Sequence, residues 1–319
     1  MGKYSKRLPQ LEGGLFLTDG GLETTLIFHR GVDLPHFASF ALMRTAEGRD
    51  TLKRYFEPYL AAARRHAAGF ILDAPTWRAN ADWGRKLGYT GEQLAAVNRD
   101  SVALLEDLRE GHEAPGFALV INGVVGPRGD GYDPREVMSA DEAQTYHTPQ
   151  IAALAQSAVD MVSAVTMTNV DEAIGIARAA RVFDIPVAIS FTIETDGRLP
   201  TGEGLGAAIE AVDAETGNGP AYYMINCAHP THMECTFEEP GAWIARLGGL
   251  RANASRRSHE ELNEAPDLDD GDPVELGAQY RDLLMRFPHI RVVGGCCGTD
   301  HRHVACIGEA CRELPSAAA

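Results

Sequence analysis

The stretch Ile290-Arg-Val-Val-Gly-Gly-Cys-Cys-Gly-Thr-Asp300 joins a short apolar run, a glycine-flanked pair of cysteines and a polar turn. Residues 290–293 read as a buried strand, and residues 303–314 carry a helical pattern. Cys296 and Cys297 therefore stand at the mouth of a strand-to-helix turn, where the glycines let the backbone bend without a Cβ penalty. Adjacent cysteines rarely pair with each other, because the small ring is strained away from disulfide geometry. Two thiols on one tight turn are better explained as metal ligands with a third partner elsewhere. Ala221-Tyr-Tyr-Met-Ile-Asn-Cys-Ala-His-Pro230 supplies it, placing Cys227 just past another apolar run.

Outward from these two turns, the chain repeats one unit. Apolar runs at 15–18, 69–72, 117–122, 159–165, 186–191, 222–225, 250–252 and 290–293 are predicted strands. Helical patterns fall at 51–68, 90–112, 139–157, 170–181, 204–214, 241–247, 273–287 and 303–314. Thr90 with Gln93 and Ser139 with Glu142 form capping-box patterns, and Asp272-Pro273 marks another helix start. The strands are mostly non-alternating, as expected when both faces are buried. Eight strand–helix units in strict alternation predict the α/β class and a single (β/α)8 barrel over residues 1–319. A doubly wound sheet would usually show a glycine-rich phosphate turn after strand one, and Asp19-Gly20-Gly21-Leu22-Glu23 is not that fingerprint. The polar, acidic stretch 255–271 lacks an apolar period and is expected to be a loop at the barrel's mouth after strand seven, or partly disordered.

Composition narrows the function. The 319 residues are 45% hydrophobic and 23% charged, a soluble globular balance. A net charge of −16 argues against nucleic acid and anionic membrane surfaces as partners. No apolar stretch approaches the ~20 residues of a membrane span, and residues 1–10 lack the apolar segment of a secretory signal. Six cysteines are too sparse for a disulfide scaffold. A cytoplasmic protein with reduced thiols is expected; nothing in the sequence sets its oligomeric state.

In such a barrel the C-terminal ends of the strands share one rim, and active sites are built there. Cys227 after strand six and Cys296 and Cys297 after strand eight would meet over the pore as three thiolates for Zn²⁺, with one position open. Cys235, Cys306, Cys311, His229, His301 and His303 read as structural. Asp19, after strand one, faces the same rim and is a candidate to touch substrate. Zn²⁺ with three thiolates carries net negative charge, a poor setting for making hydroxide. An incoming thiol would still lose its proton on coordination. The electron-rich product should attack an alkyl group on a cationic donor. Two other readings are a catalytically silent zinc-binding barrel and a zinc hydrolase or lyase.

Gly294-Gly-Cys-Cys-Gly298, Asn226-Cys227 with Pro230, and Asp19-Gly20-Gly21 together resemble the homocysteine S-methyltransferase family, over nearly the whole chain. The resemblance implies a zinc-bound homocysteine thiolate with Cys227, Cys296 and Cys297 as ligands. It also implies a small-molecule methyl donor, and Asp19 and the backbone at Gly20 and Gly21 holding substrate. Ser190, at the end of strand five, matches a family serine near the site. One position departs from the family pattern: Val165 stands where the family usually has a glutamate that holds the substrate's amino group. Strand two also differs, with Asp73-Ala-Pro-Thr-Trp77 in place of threonines and an asparagine. Trp77 could meet a cationic donor by cation–π contact. Asp19, Glu23, Asp73 and Glu194 are the rim acids able to replace the missing glutamate, with Asp73 the expected one; the other solution is a thiol without an amine.

Overall fold

A computed structural model of the chain describes residues 2–132, 137–265, 267–312 and 314. Eight strands, β1 (Phe16–Leu17), β2 (Gly69–Asp73), β3 (Leu119–Val125), β4 (Met161–Met167), β5 (Val187–Thr192), β6 (Tyr222–Asn226), β7 (Leu247–Ala252) and β8 (Val292–Gly295), pair in sequence order. All pairings are parallel, and β1 pairs with both β2 and β8, so the sheet closes as the sequence predicts.

Helices Ala46–Arg65, Gly91–His112, Ala140–Ala155, Val170–Val182, Leu205–Thr216, Pro273–Arg286 and His301–Cys311 form most of the outer ring. Both predicted capping boxes are made, and Asp272 caps two backbone N–H groups. Several expectations need correction. The helix expected at 241–247 is a 3₁₀ turn, Ala242–Arg246, and Leu247 already belongs to β7. Short helices Ala81–Lys86 and Pro230–Thr236 were not predicted, because six or seven residues do not complete two helical turns of apolar period. None of the helices among the described residues is long and apolar enough to cross a membrane.

Strand side chains alternate between the two faces of the sheet, and the alternation makes two cores. Leu17, Leu72, Ile121, Val162, Ile189, Ile225, Leu250 and Val293 point outward into a large cluster shared with the helices. Phe16, Ile71, Val120, Met161, Ala188, Tyr222, Met224 and Val292 form a separate cluster inside the barrel, closed by Leu8. The first residues of the chain, which read as merely polar, cover this end. Gly2 N–H donates to the Val159 carbonyl at 3.1 Å, and Tyr4 N–H to Asp160 Oδ1 at 2.7 Å. Each fully buried large apolar side chain here contributes about 1.5–3 kcal/mol. Two residues further along β2 to β6 the inward positions turn polar: Asp73, Asn122, Ser163 and Ser190 follow inward-facing apolar positions, as Asn226 follows Met224, and Arg251 of β7 meets Asp73 at this level.

Candidate active site

At this level a cavity of about 1070 Å³ opens at the C-terminal mouth, with Asp73 and Arg251 in its lining. Its wall includes Asp19, Gly20, Gly21, Glu23, Asp73, Trp77, Arg78, Val165, Arg251, Cys296 and Cys297. The sulfurs of Cys227, Cys296 and Cys297 lie within 4.8 Å of one another. Their meeting follows from barrel closure: β6 and β8 flank β7, and the turns at their ends are tied to it. Cys227 N–H donates to the Arg251 carbonyl at 3.0 Å and Cys296 N–H to that of Ala252 at 2.8 Å, while Ala254 N–H donates to the Cys297 carbonyl at 3.1 Å. Cys227 holds a left-handed φ of 54°, a conformation costly for a residue with a Cβ. His259 supports that turn, its Nε2 lying 2.7 Å from the Cys227 carbonyl.

In this structure Cys227 and Cys296 are joined as a disulfide, whereas three free thiols were expected. Side chains aimed at one point are close enough either to bond or to share a metal ion. Two polar groups reach the sulfurs. The Tyr132 hydroxyl lies 2.9 Å from Cys227 Sγ and 3.6 Å from Cys297 Sγ, and the Asn226 amide lies 3.8 Å from Cys296 Sγ. Burial holds the Tyr132 phenol well above its ordinary range, reinforced by Cys297, so it meets sulfur as a neutral hydroxyl. Burial also pushes the Cys297 thiol up, so a bound cation is what would draw off its proton. Three convergent sulfurs with hydrogen-bond donors beside them fit a thiophilic metal ion.

The rest of the floor is one polar network. Arg251 Nη2 donates to Asp19 Oδ1 at 2.6 Å, Nη1 to Asp73 Oδ2, and Nε to the Gly295 carbonyl at 3.1 Å. Asn122 donates to the other Asp73 oxygen at 2.7 Å, and Tyr55 to the other Asp19 oxygen at 3.1 Å. Burial raises the Asp19 carboxyl to about 8, with Arg251 lowering and Asp73 raising it. Asp73, expected to meet a substrate ammonium, thus has both oxygens engaged inside the protein. Ser190 is buried and donates to Asn226 Oδ1 at 2.6 Å, so it holds the asparagine beside Cys296. Gly20 and Gly21 line the cavity and also back the cysteine turn. A Cβ on Gly20 would stand 2.6 Å from the Thr299 carbonyl oxygen, and one on Gly21 2.8 Å from that of Cys296. Trp77 is half-buried in the wall, its indole N–H donating to the Val165 carbonyl at 3.2 Å.

The family model for homocysteine S-methyltransferases matches residues 16–311. The chain belongs to the homocysteine S-methyltransferase family. Among solved structures it is similar to the homocysteine methyltransferase MmuM from Escherichia coli. For the oxidised form the identity is 21%, the coverage 92% of this chain and 95% of that one, and the TM-score 0.71. For the metallated form these values are 20%, 95%, 98% and 0.69. At such identities the likeness shows the fold. A comparison with curated proteins finds no match. Membership makes this chain a homocysteine S-methyltransferase-like enzyme.

For such an enzyme the sequence reading missed Tyr132, Arg78, Arg251 and His259. Only Arg251 had a signal, as a lone charge inside an otherwise apolar strand. His259 lies in the stretch 255–271, which carries a short helix, His259–Asn263, and lines the cavity through Ser258, His259 and Glu260.

Proposed function

We propose that the protein is a zinc-dependent S-methyltransferase that moves a methyl group from a small sulfonium or quaternary-ammonium donor to homocysteine or a related thiol. The observation that carries this reading is the convergence of Cys227, Cys296 and Cys297 beside the cavity at the barrel mouth, where Cys296 and Cys297 line its wall. Zinc held by these three sulfurs would supply an open position at which the substrate sulfur is taken up as thiolate.

The protein's own residues do the rest. Asn226, fixed by Ser190 and Thr166, and Tyr132 hold the cysteine sulfurs in place. Asp19 and Asp73 act through Arg251, whose Nε ties them to the β8 turn at Gly295. Asp19, Glu23, Asp73, Asp130, Glu194, Glu260 and Glu264 outnumber Arg78 and Arg251 on the wall, which favours a cation there. In the transfer a new carbon–sulfur bond forms to the acceptor. The donor's sulfur–methyl or nitrogen–methyl bond breaks, and the donor leaves as a neutral thioether or tertiary amine with its electron pair.

The donor leaves neutral, so no general acid is required, and an acceptor taken up as thiolate, its proton released to solvent, would need no general base in the transfer itself. A matrix of thiols against methyl donors, run on reduced, zinc-loaded protein and read by mass spectrometry, tests the reading. Methylated homocysteine is the expected product. No methyl transfer to any thiol, with the metal bound, would favour a silent zinc-binding barrel instead.

A further inference from the structure

Val165 lines the cavity as an apolar residue, and seven carboxylates share the wall with it. Of these, Asp19 and Asp73 are held by Arg251, and Glu194 lies 3.1 Å from His259. Asp130, Glu260 and Glu264 are exposed at the rim. Glu23 is different. It is partly buried, follows β1 at the start of a short helix, and accepts one hydrogen bond, from Ser39 at 2.6 Å. It has no ion-pair partner among the described residues. Burial pushes its carboxyl up, with the Ser39 hydroxyl and the charges of Arg78 and Arg251 opposing the rise.

A matching cation faces it. Arg78, in the loop after β2, lies against the indoles of Trp77 and Trp83, 4.8 and 4.1 Å from their ring centroids. One guanidinium nitrogen donates to the His36 carbonyl, while the buried Nε has no hydrogen-bond partner. His36 and Phe37 both hold left-handed backbone angles, φ 58° and 53°, so the chain accepts strain to place that carbonyl. Glu23, Arg78 and Cys297 all line the same cavity, with Asp130 a further acid on its exposed rim. Yet Glu23 and Arg78 are not joined, although an N–O separation of about 4 Å would count as an ion pair. Two opposite charges on one wall, neither in an ion pair among the described residues, are complementary to a zwitterion between them.

We propose that Glu23 and Arg78 are the two ends of an amino-acid clamp, Glu23 taking the ammonium and Arg78 the carboxylate of the thiol acceptor whose sulfur lies at Cys297. The proposal rests on the methyl-transfer reading and adds to it: the acceptor is an α-amino acid held from the loops after β1 and β2, not from the end of β4. Arg guanidinium suits this role, since its fixed planar fork matches a carboxylate.

The test compares wild type, Glu23→Gln, Arg78→Leu and the double variant Glu23→Gln/Val165→Glu, all reduced and zinc-loaded. Three acceptors are assayed with one donor: L-homocysteine, 4-mercaptobutanoate, which lacks the amine, and 3-mercaptopropan-1-amine, which lacks the carboxylate. Calorimetric binding of L-methionine is measured alongside, without turnover. Glu23→Gln should lower kcat/KM for homocysteine at least about tenfold and leave 4-mercaptobutanoate within about twofold. Arg78→Leu should lower both carboxylate-bearing thiols at least about tenfold and spare 3-mercaptopropan-1-amine. Both should weaken L-methionine binding, and Val165→Glu should restore part of what Glu23→Gln removes.

A uniform loss across the three thiols, a loss that follows the donor instead of the acceptor, or no loss on homocysteine would overturn the clamp. If a variant fails to fold, Glu23→Asp and Arg78→Lys shift the same charges and should show the same acceptor pattern. Wild type that binds L-methionine through Glu23 and Arg78 but methylates nothing would sink the methyl-transfer reading and support the clamp. Wild type that methylates homocysteine with indifferent variants would do the reverse, and wild type that does neither would overturn both.

Discussion

The two ends of the barrel are built from the same strands by the same alternation, yet they differ in chemistry. At the N-terminal end the inward positions are apolar and sealed by Leu8, and their work is packing. Two residues later the inward positions are Asp73, Asn122, Ser190 and Arg251, joined there by Asn226, and nearly every polar atom has a partner across the pore. A barrel strand therefore separates stability from function along its own length. Substitutions at the two ends should fail in different ways, and that difference can be measured.

The largest effect is expected at the sulfur cluster. Cys297→Ser should reduce metal content of the reduced protein from about one per chain to near zero, while far-ultraviolet circular dichroism keeps its native shape. Retained stoichiometric metal would dissolve the cluster as the site. Next is Arg251→Met, which strands two buried carboxylates and should destabilise the fold by about 3–5 kcal/mol in urea unfolding. Its loss should be smaller at pH 5 than at pH 8.

The sign at Asp19 explains the direction. Its carboxyl rises from an ordinary value to about 8 on folding. The stability linked to that proton is present below the unfolded value and is lost as pH rises through the folded one. The unfolding free energy of the wild type should therefore decline between about pH 4 and pH 8, and Asp19→Asn should flatten that decline. An unchanged slope would place the titration elsewhere.

At the opposite end, Ile71→Ala should cost about 2–5 kcal/mol of stability and leave metal content unchanged below the melting transition. Loss of metal at full folding would erase the contrast between the two ends. Smaller again is Tyr132→Phe, which removes the hydroxyl beside Cys227 and Cys297 and should weaken metal affinity about 10–100-fold in a chelator competition. Smallest is Cys235→Ser, an exposed thiol outside the cluster. It should change stability by less than about 0.5 kcal/mol and metal content not at all.

The sequence by itself determined the number and order of the strand–helix units, because short apolar runs and helical periods are local patterns set by backbone geometry. It also determined that Cys227, Cys296 and Cys297 would meet, since each follows directly on a strand and a closed parallel barrel gathers those ends on one rim. Tertiary structure alone decided the partners. Asp73 looked free to bind a substrate amine, but Arg251, 178 residues away in sequence, lies against it, and the same guanidinium reaches Asp19 across 232 residues. Ser190 matched a family serine near the site, and folding sets its hydroxyl against Asn226. Tyr132 and Arg78 stand on loops and His259 opens a five-residue helix, none of them with a readable period, and only folding brings them to the cavity. Pattern reveals which face of an element is buried. Which charge meets which depends on the inward register and the loop paths of segments far apart in the chain, and no local propensity encodes that.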